Sequence, residues 1–262
     1  MMNQPQKHSK IILIGESCYD VYRAGSVERV SPEAPVPVFS WSGHETIHDG
    51  MASNVCKNFT NFGVDVDLYT DHVENKIRYY DEKSNYQMLR VDQPLNHMKF
   101  QAKLIDDWNA DAIVISDYDK GFISYGDIKQ LRMRFSGPMF LDTKKPDLAQ
   151  FTGITLKINN DEWRRRTSDS SPNHTIITGG SGYVTWGDDH WLPKKIDMID
   201  VCGAGDTFLA AFVTKYLQLP NGNVYRNSDS IKYAIGAASV TCKKVGVYAP
   251  TMEEVDETGW RS

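Results

Sequence analysis

Short apolar runs rich in β-branched residues recur along this 262-residue chain, with stretches of helical spacing between them. Residues 10–15, 112–116 and 139–141 read as buried strands, and 154–158 and 175–178 as further strands. Strands of that kind run parallel and need helical crossovers, which then cover both faces of the sheet. The alternation therefore predicts an α/β fold of three layers around a mainly parallel central sheet. Gly50 opens a helix whose apolar Met51, Val55, Phe59 and Phe62 fall on one face. Further helices are expected between 116 and 139, from 159 onward, over 206 to about 217, and over about 229 to 244. The run 64–69 reads as another strand, and 175–178 and 183–186 as two strands around Gly179, Gly180, Ser181 and Gly182.

Two stretches do not suit a buried sheet. Residues 21–41 carry Pro32, Pro35 and Pro37 with some alternation, the pattern of exposed edge strands. Residues 76–80 and 86–91 read as a hairpin around the polar loop 81–85. Together they predict a small separate β-layer, a lid, with strands from about 16–48 and 74–93 inside a single domain over 1–262. Residues 167–173 are expected to form a surface loop.

The chemistry is concentrated in Asp200-Val201-Cys202-Gly203-Ala204-Gly205-Asp206, followed at once by an apolar helical run. A small-residue turn at a helix N-terminus gathers free N–H groups and the positive end of the helix dipole into an anion hole. A carboxylate beside such a hole suits phosphoryl transfer to a hydroxyl, where a proton leaves as negative charge gathers. Alone, the heptapeptide reads as well as a tight turn with Asp206 capping the helix. No Gly-x-x-x-x-Gly-Lys-Ser/Thr loop occurs, so phosphate binding has to rest on the Gly-Ala-Gly turn.

Composition excludes several alternatives. A net charge of -5 with no basic stripe argues against nucleic acid as a partner. Cys18, Cys56, Cys202 and Cys242 lie too far apart for a metal knuckle and suggest no disulfide framework. Residues 1–10 are polar and lack the apolar core of a signal peptide, and no segment is apolar enough to cross a membrane. A soluble, cytoplasmic protein is expected.

These pieces resemble a known family. Asp200-x-x-Gly203-Ala204-Gly205-Asp206, Gly50-x-x-x-Asn54, and Gly15 with Asp20 are similar to motifs of the ribokinase-like (PfkB) carbohydrate kinases. Arg29-Val30-Ser31-Pro32-Glu33-Ala34-Pro35-Val36-Pro37-Val38 resembles the lid segment of bacterial D-glycero-β-D-manno-heptose-7-phosphate kinases. Ser116-Asp117-Tyr118-Asp119-Lys120-Gly121 and Asp142-Thr143-Lys144 look like the same subgroup. The resemblance implies a ribokinase-like fold and an ATP-dependent kinase acting on a sugar hydroxyl, at best the anomeric position of a heptose 7-phosphate. It implies Asp206 as catalytic base, with the N–H groups of Gly203, Ala204 and Gly205 as the anion hole. Asp20, Gly50 and Asn54 would line the sugar site.

Asn159, Asn160, Asp161 and Glu162 resemble the family's nucleotide-site segment, which implies that Asn159 and Glu162 would serve Mg²⁺. By residue chemistry alone that segment reads equally as a helix-capping box. Thr178, Gly180 and Gly182 would help form the nucleotide pocket. Family members use ATP with Mg²⁺, some respond to a monovalent cation, and the lid often supplies a dimer contact, so a homodimer through the lid is expected. A phosphorylated sugar needs cations in its site, and Lys120 and Lys144 follow strand ends where ligands sit, although lysines there are as often solvated. Arg78 and Arg90, on the presumed lid strands, are secondary candidates.

The chain departs from the family pattern at three positions: Glu16 for the usual Asp or Asn, Met51 for the second Gly of a pair, and Cys202 for the usual Thr. The Met51 side chain is expected to reshape the sugar pocket. The chain also looks shortened after residue 70 and after residue 166. A kinase for another sugar, or a catalytically silent sugar- or nucleotide-binding relative, remain the alternative readings.

Overall fold

The computed structural model describes residues 9–171 and 174–259. Residues 1–8 of the polar N-terminal stretch, and Pro172 and Asn173 of the expected surface loop, lie outside the described residues. In chain order the strands are β1 Lys10–Val30, β2 Pro37–Met51, β3 Asp65–Asp81, β4 Gln87–Pro94, β5 Ala112–Asp117, β6 Met139–Thr143, β7 Thr155–Asn159, β8 Thr175–Thr178, β9 Val184–Trp186 and β10 Asp189–Trp191. The helices are α1 Ala52–Asn61, α2 Tyr125–Arg134, α3 Asn160–Arg165, α4 Ala204–Gln218, α5 Arg226–Thr241 and α6 Met252–Glu257.

Among the described residues the strands form one sheet in the order β10-β9-β8-β7-β6-β5-β1-β3-β4, with β2 paired to β1. Pairings from β3 through β1, β5, β6 and β7 to β8 are parallel. Those of β2, β4, β9 and β10 are antiparallel. The central strands alternate between two cores. Ile11 and Leu13, with Ala112 and Val114, face the layer of α1, α4 and α5, where Val55, Phe59, Phe208, Phe212 and Ile231 are buried. Ile12 and Ile14, with Ile113 and Ile115, face the opposite core, which holds Ile128 and Leu131 of α2. Burial on both faces is why these runs are apolar throughout rather than alternating.

The expectation of a separate lid layer is corrected. β1 runs for 21 residues and β3 for 17 without a break, and they stay paired from the core into the outer sheet. The runs 64–69 and 76–80, expected as two strands, are parts of β3. The lid therefore continues the central sheet, completed by β2 and β4 on its outer strands. Backbone pairing to β1 keeps residues 70–75 extended even though they supply no apolar run. Two further differences concern boundaries. α1 starts at Ala52, with Gly50 still in β2, and the short helix α6 follows the two expected last helices. Among the described residues no helix is long and apolar enough to cross a membrane.

Candidate active site

The carboxyl ends of the core strands and the N-terminus of α4 meet at a cavity of about 150 Å³, lined by Asp117, Tyr118, Asp142, Lys144, Lys157, Asn159, Glu162, Gly203, Gly205 and Asp206. In open α/β sheets the crevice beyond the carboxyl ends of the strands is where ligands bind. The left-handed backbone of Gly203 (φ 77°) turns the chain into α4. The first bond of the helix is from Thr207 N–H to Gly203 O, so the N–H groups of Gly205 and Asp206 have no acceptor inside the helix. Ala204 differs from its neighbours, because its N–H reaches back to Val201 O at 3.3 Å. A Cβ at Gly205 would stand 3.0 Å from Lys157 Nζ, so glycine there lets the ammonium approach the turn.

Asp206 is buried in the first turn of α4, 7 % exposed. Its Oδ2 accepts from Asn54 Nδ2 at 2.8 Å and its Oδ1 from the Tyr118 hydroxyl at 3.1 Å. Burial pushes its carboxyl up to about 6, with the Asp142 carboxylate adding to the rise, while Asn54, Lys157 and Tyr118 oppose it. A carboxyl poised near neutrality beside a cluster of N–H groups can take a proton in the physiological range. Lys157, 7 % exposed, donates to Asp142 Oδ2 at 2.6 Å. Burial alone would pull this ammonium down, but the Asp142 carboxylate, with Glu162 and Asp206 behind it, raises Lys157 above its ordinary value. The site thus holds a fixed positive charge against its glycine turn.

Asn159 and Glu162 form the capping box of α3: Glu162 N–H donates to Asn159 Oδ1 at 2.8 Å, and Asn159 N–H to Glu162 Oε2 at 2.7 Å. Glu162 Oε1 lies outside the box. Burial, then the Asp142 carboxylate, raises the Glu162 carboxyl. Among the described residues no group of three His, Cys, Asp or Glu side chains could hold a metal. Oxygen donors from Glu162 and Asp142 nonetheless suit a cation that takes its remaining ligands from phosphate and water. Asp161 is exposed and pairs with Arg164 at 3.3 Å. Asn160 Nδ2 would lie 3.1 Å from a Cβ at Gly179. Thr178, Gly180 and Gly182 do not line the cavity; they build the tight turn from β8 to β9, next to Asn159 through the Asn159–Thr178 register.

The expected sugar-site residues divide into two places. Asn54, on α1, touches Asp206 itself. Asp20 and Gly50 lie where β1 meets β2, and a Cβ at Gly50 would stand 2.3 Å from Asp20 Oδ2. Asp20 Oδ1 accepts from Arg78 Nη1 of β3 at 2.5 Å, and both residues are buried. The Tyr22 hydroxyl, buried and without a hydrogen-bond partner among the described residues, lies in the same group, with its ring 5.2 Å from the Arg78 guanidinium. Met51 differs from expectation. It packs in the apolar core with Cys18 and Val73, and it holds φ 60°, a glycine conformation. Lys144 Nζ sits 4.1 Å over the Tyr118 ring, and Lys120 Nζ pairs with Glu74 at 3.0 Å.

Four residues of the cavity went unassigned in the sequence: Asp117, Tyr118, Asp142 and Lys157. The first three stand inside segments that resemble the heptose-phosphate kinases. Lys157 had its own signal, a lysine interrupting the apolar run 154–158.

Comparison with known proteins fits this geometry. The model of the pfkB family of carbohydrate kinases matches residues 129–254. Bifunctional protein HldE of Hydrogenovibrio crunogenus is 27 % identical over 95 % of this chain and 62 % of its own length. Its counterpart from Nitratiruptor is 26 % identical over 95 % and 64 %. The chain thus spans a little under two thirds of these relatives. A ribokinase from Thermotoga maritima superposes with a TM-score of 0.71 at 15 % identity, covering 95 % of this chain and 99 % of that one. Ribokinase of Arabidopsis thaliana, solved with ribose and ATP, gives 0.67 at 14 % identity over 96 % and 98 %. The fold is ribokinase-like.

Proposed function

We propose that this chain, which carries a pfkB family carbohydrate kinase domain, is an ATP-dependent kinase that phosphorylates a sugar hydroxyl. The observation that carries the reading is Asp206: buried, poised at about 6, and set in the first turn of a helix whose glycine entry faces Lys157. The acceptor hydroxyl gives its proton to Asp206 as its oxygen attacks the γ-phosphorus of ATP in line, and ADP leaves. The N–H groups of Gly205 and Asp206, rather than the Ala204 N–H that bonds Val201 O, and the Lys157 ammonium face the charge on the transferring oxygens. Asp20 and Arg78 offer an acceptor and donors that suit sugar hydroxyls. The rest of the nucleotide would lie along the turn at Thr178, Gly180 and Gly182, which adjoins Asn159 of the cavity through the β7–β8 register. A divalent cation, with Glu162 and Asp142 as its protein oxygens, would screen the phosphate charges.

A heptose 7-phosphate is the preferred substrate, because residues 29–38 resemble the lid segment of heptose-7-phosphate kinases. Lys144 and Lys120, near the Tyr118 ring and Glu74, supply cations for its phosphate. The lid exposes Val36, Trp41, Ile47 and Leu89, which supports a homodimer through that face. A cytoplasmic location belongs to the same reading. Coupled ADP release with Mg-ATP and a panel of sugars and sugar phosphates tests it. Turnover on heptose 7-phosphate supports the whole proposal, turnover on another sugar changes the substrate, and no turnover with retained ATP binding overturns the kinase.

A further inference from the structure

Glu16 is fully buried, yet no step of the proposed chemistry uses it. It follows Gly15, which pairs with Ser116 of β5 so closely that a Cβ there would stand 2.2 Å from Ser116 O. That close approach brings the Glu16 carboxylate under the loop leaving β5. Its Oε2 accepts from Tyr118 N–H at 2.5 Å, and its Oε1 from Lys120 N–H at 2.7 Å and Phe122 N–H at 3.2 Å. Asp119 (φ 57°) and Gly121 (φ 98°) are left-handed, and the alternation turns the N–H groups of Tyr118, Lys120 and Phe122 to one side. Such concavities of N–H groups bind anions, and here the anion is a side chain of the protein. The same loop sends the Tyr118 hydroxyl to Asp206 Oδ1.

We infer that Glu16 is a positioning residue for the catalytic base: its carboxylate gathers the loop 118–122 and thereby holds the Tyr118 hydroxyl against Asp206. The inference rests on Asp206 being the base, as proposed above. The shape of the loop follows from the carboxylate, because only an ionised carboxylate accepts three N–H bonds without offering a proton of its own. Asp206 is faced by Asn54 from α1, Tyr118 from the loop, Asp142 from β6 and Lys157 from β7. Burial, and then the facing Asp117 carboxylate, raise the Glu16 carboxyl against the pull of the three N–H groups. Lys76 and Lys144 lie over the Tyr118 ring. Of these groups, Tyr118 is the one that Glu16 holds.

The test reads Asp206 directly, by carboxyl carbon NMR titration of the full chain as native protein, Tyr118→Phe, Glu16→Gln and the double variant. Tyr118→Phe removes a bond to the ionised form, so the Asp206 midpoint rises from about 6 by about half to one pH unit. Glu16→Gln moves it the same way, and the double variant moves no further than Tyr118→Phe alone. Glu16→Asp keeps the charge but is a methylene short, so it gives a smaller shift in the same direction and stands in if the amide fails to fold. A lowered melting temperature with an unmoved midpoint in either Glu16 variant overturns the inference, as do shifts that add in the double variant. The acid limb of kcat is followed in parallel, with KM for ATP expected to stay unchanged. Coupled titration without turnover on any sugar would sink the kinase reading and leave the positioning intact; turnover without coupling would do the reverse.

Discussion

Two buried aspartates, Asp206 in the cavity and Asp20 where β1 meets β2, are held in opposite ways. Asp206 is met by neutral donors, the Asn54 amide and the Tyr118 hydroxyl, with the Lys157 ammonium engaged by Asp142. Asp20 is met by a full charge, the Arg78 guanidinium at 2.5 Å. Neutral donors leave burial in command, and the Asp206 carboxyl rises to about 6. A guanidinium fixes its partner in place as an acceptor. Under the proposed function, the difference separates a carboxylate that exchanges a proton from one that keeps its position, and it is set by the neighbours rather than by the residue type.

The comparison is broken most severely at Asp206. Asp206→Asn keeps the shape and removes the basicity, so kcat should fall by about two to four orders of magnitude with little change in KM. Single-turnover phosphoryl transfer checks it, and near-native turnover would remove Asp206 from the mechanism.

At the other end, Arg78→Met leaves Asp20 buried without its partner. Truncating one member of a buried pair costs about 3–5 kcal/mol, so the loss should appear first in stability and in KM for the sugar. Urea unfolding beside sugar saturation measures both. A variant as stable as the native protein would mean that solvent reaches Asp20, contrary to its burial.

Why the sequence disclosed one end better than the other follows from the same contrast. The turn at Asp206 is local: seven consecutive residues build the hole, and the apolar helix behind them is unmistakable. The Asp20–Arg78 end is made by pairing across distance. β1 and β3 run side by side from the core into the lid, and the register Asp20 with Lys76 and Tyr22 with Arg78 follows from backbone bonds that leave no apolar pattern in residues 70–75. Those polar residues therefore looked like a gap between two strands. Lys157 left only the signal of a lysine inside an apolar run, and the reach of Tyr118 to Asp206 left none, because it depends on Glu16, 102 residues away from the loop it grips. The three-layer core was legible because Ile11 to Ile14 and Ala112 to Ile115 must be buried on both faces.

A smaller effect tests the electrostatic side of the contrast. The Asp206 carboxyl is raised from 3.8 to about 6, so the native state binds its proton more tightly than the unfolded chain does. Stability attributable to this group is therefore full below the ordinary carboxylate range and lost as pH rises through about 6. Asp206→Asn cannot lose that contribution. Relative to the native protein it should gain on the order of 2–3 kcal/mol between about pH 4 and pH 7. Unfolding at both pH values checks the sign, and a difference that stays flat would mean that Asp206 titrates as an exposed carboxylate does.

The smallest effect concerns Met51, beside Gly50 at the Asp20 end. Its φ of 60° is a conformation that favours glycine, while its side chain is buried in the core. Met51→Ala removes the packing and keeps the strained backbone; Met51→Gly removes both. Loss of the buried side chain costs about 2–5 kcal/mol in the alanine variant, and relief of the backbone returns about 1–3 kcal/mol in the glycine variant, less about 0.4–1 kcal/mol for the freer unfolded chain. Glycine should therefore be more stable than alanine at this position, the reverse of the usual order. Calorimetry on the pair reads the strain without reference to substrate. If alanine proves the more stable, the Met51 backbone carries no strain, and packing alone would hold the Asp20 end in register.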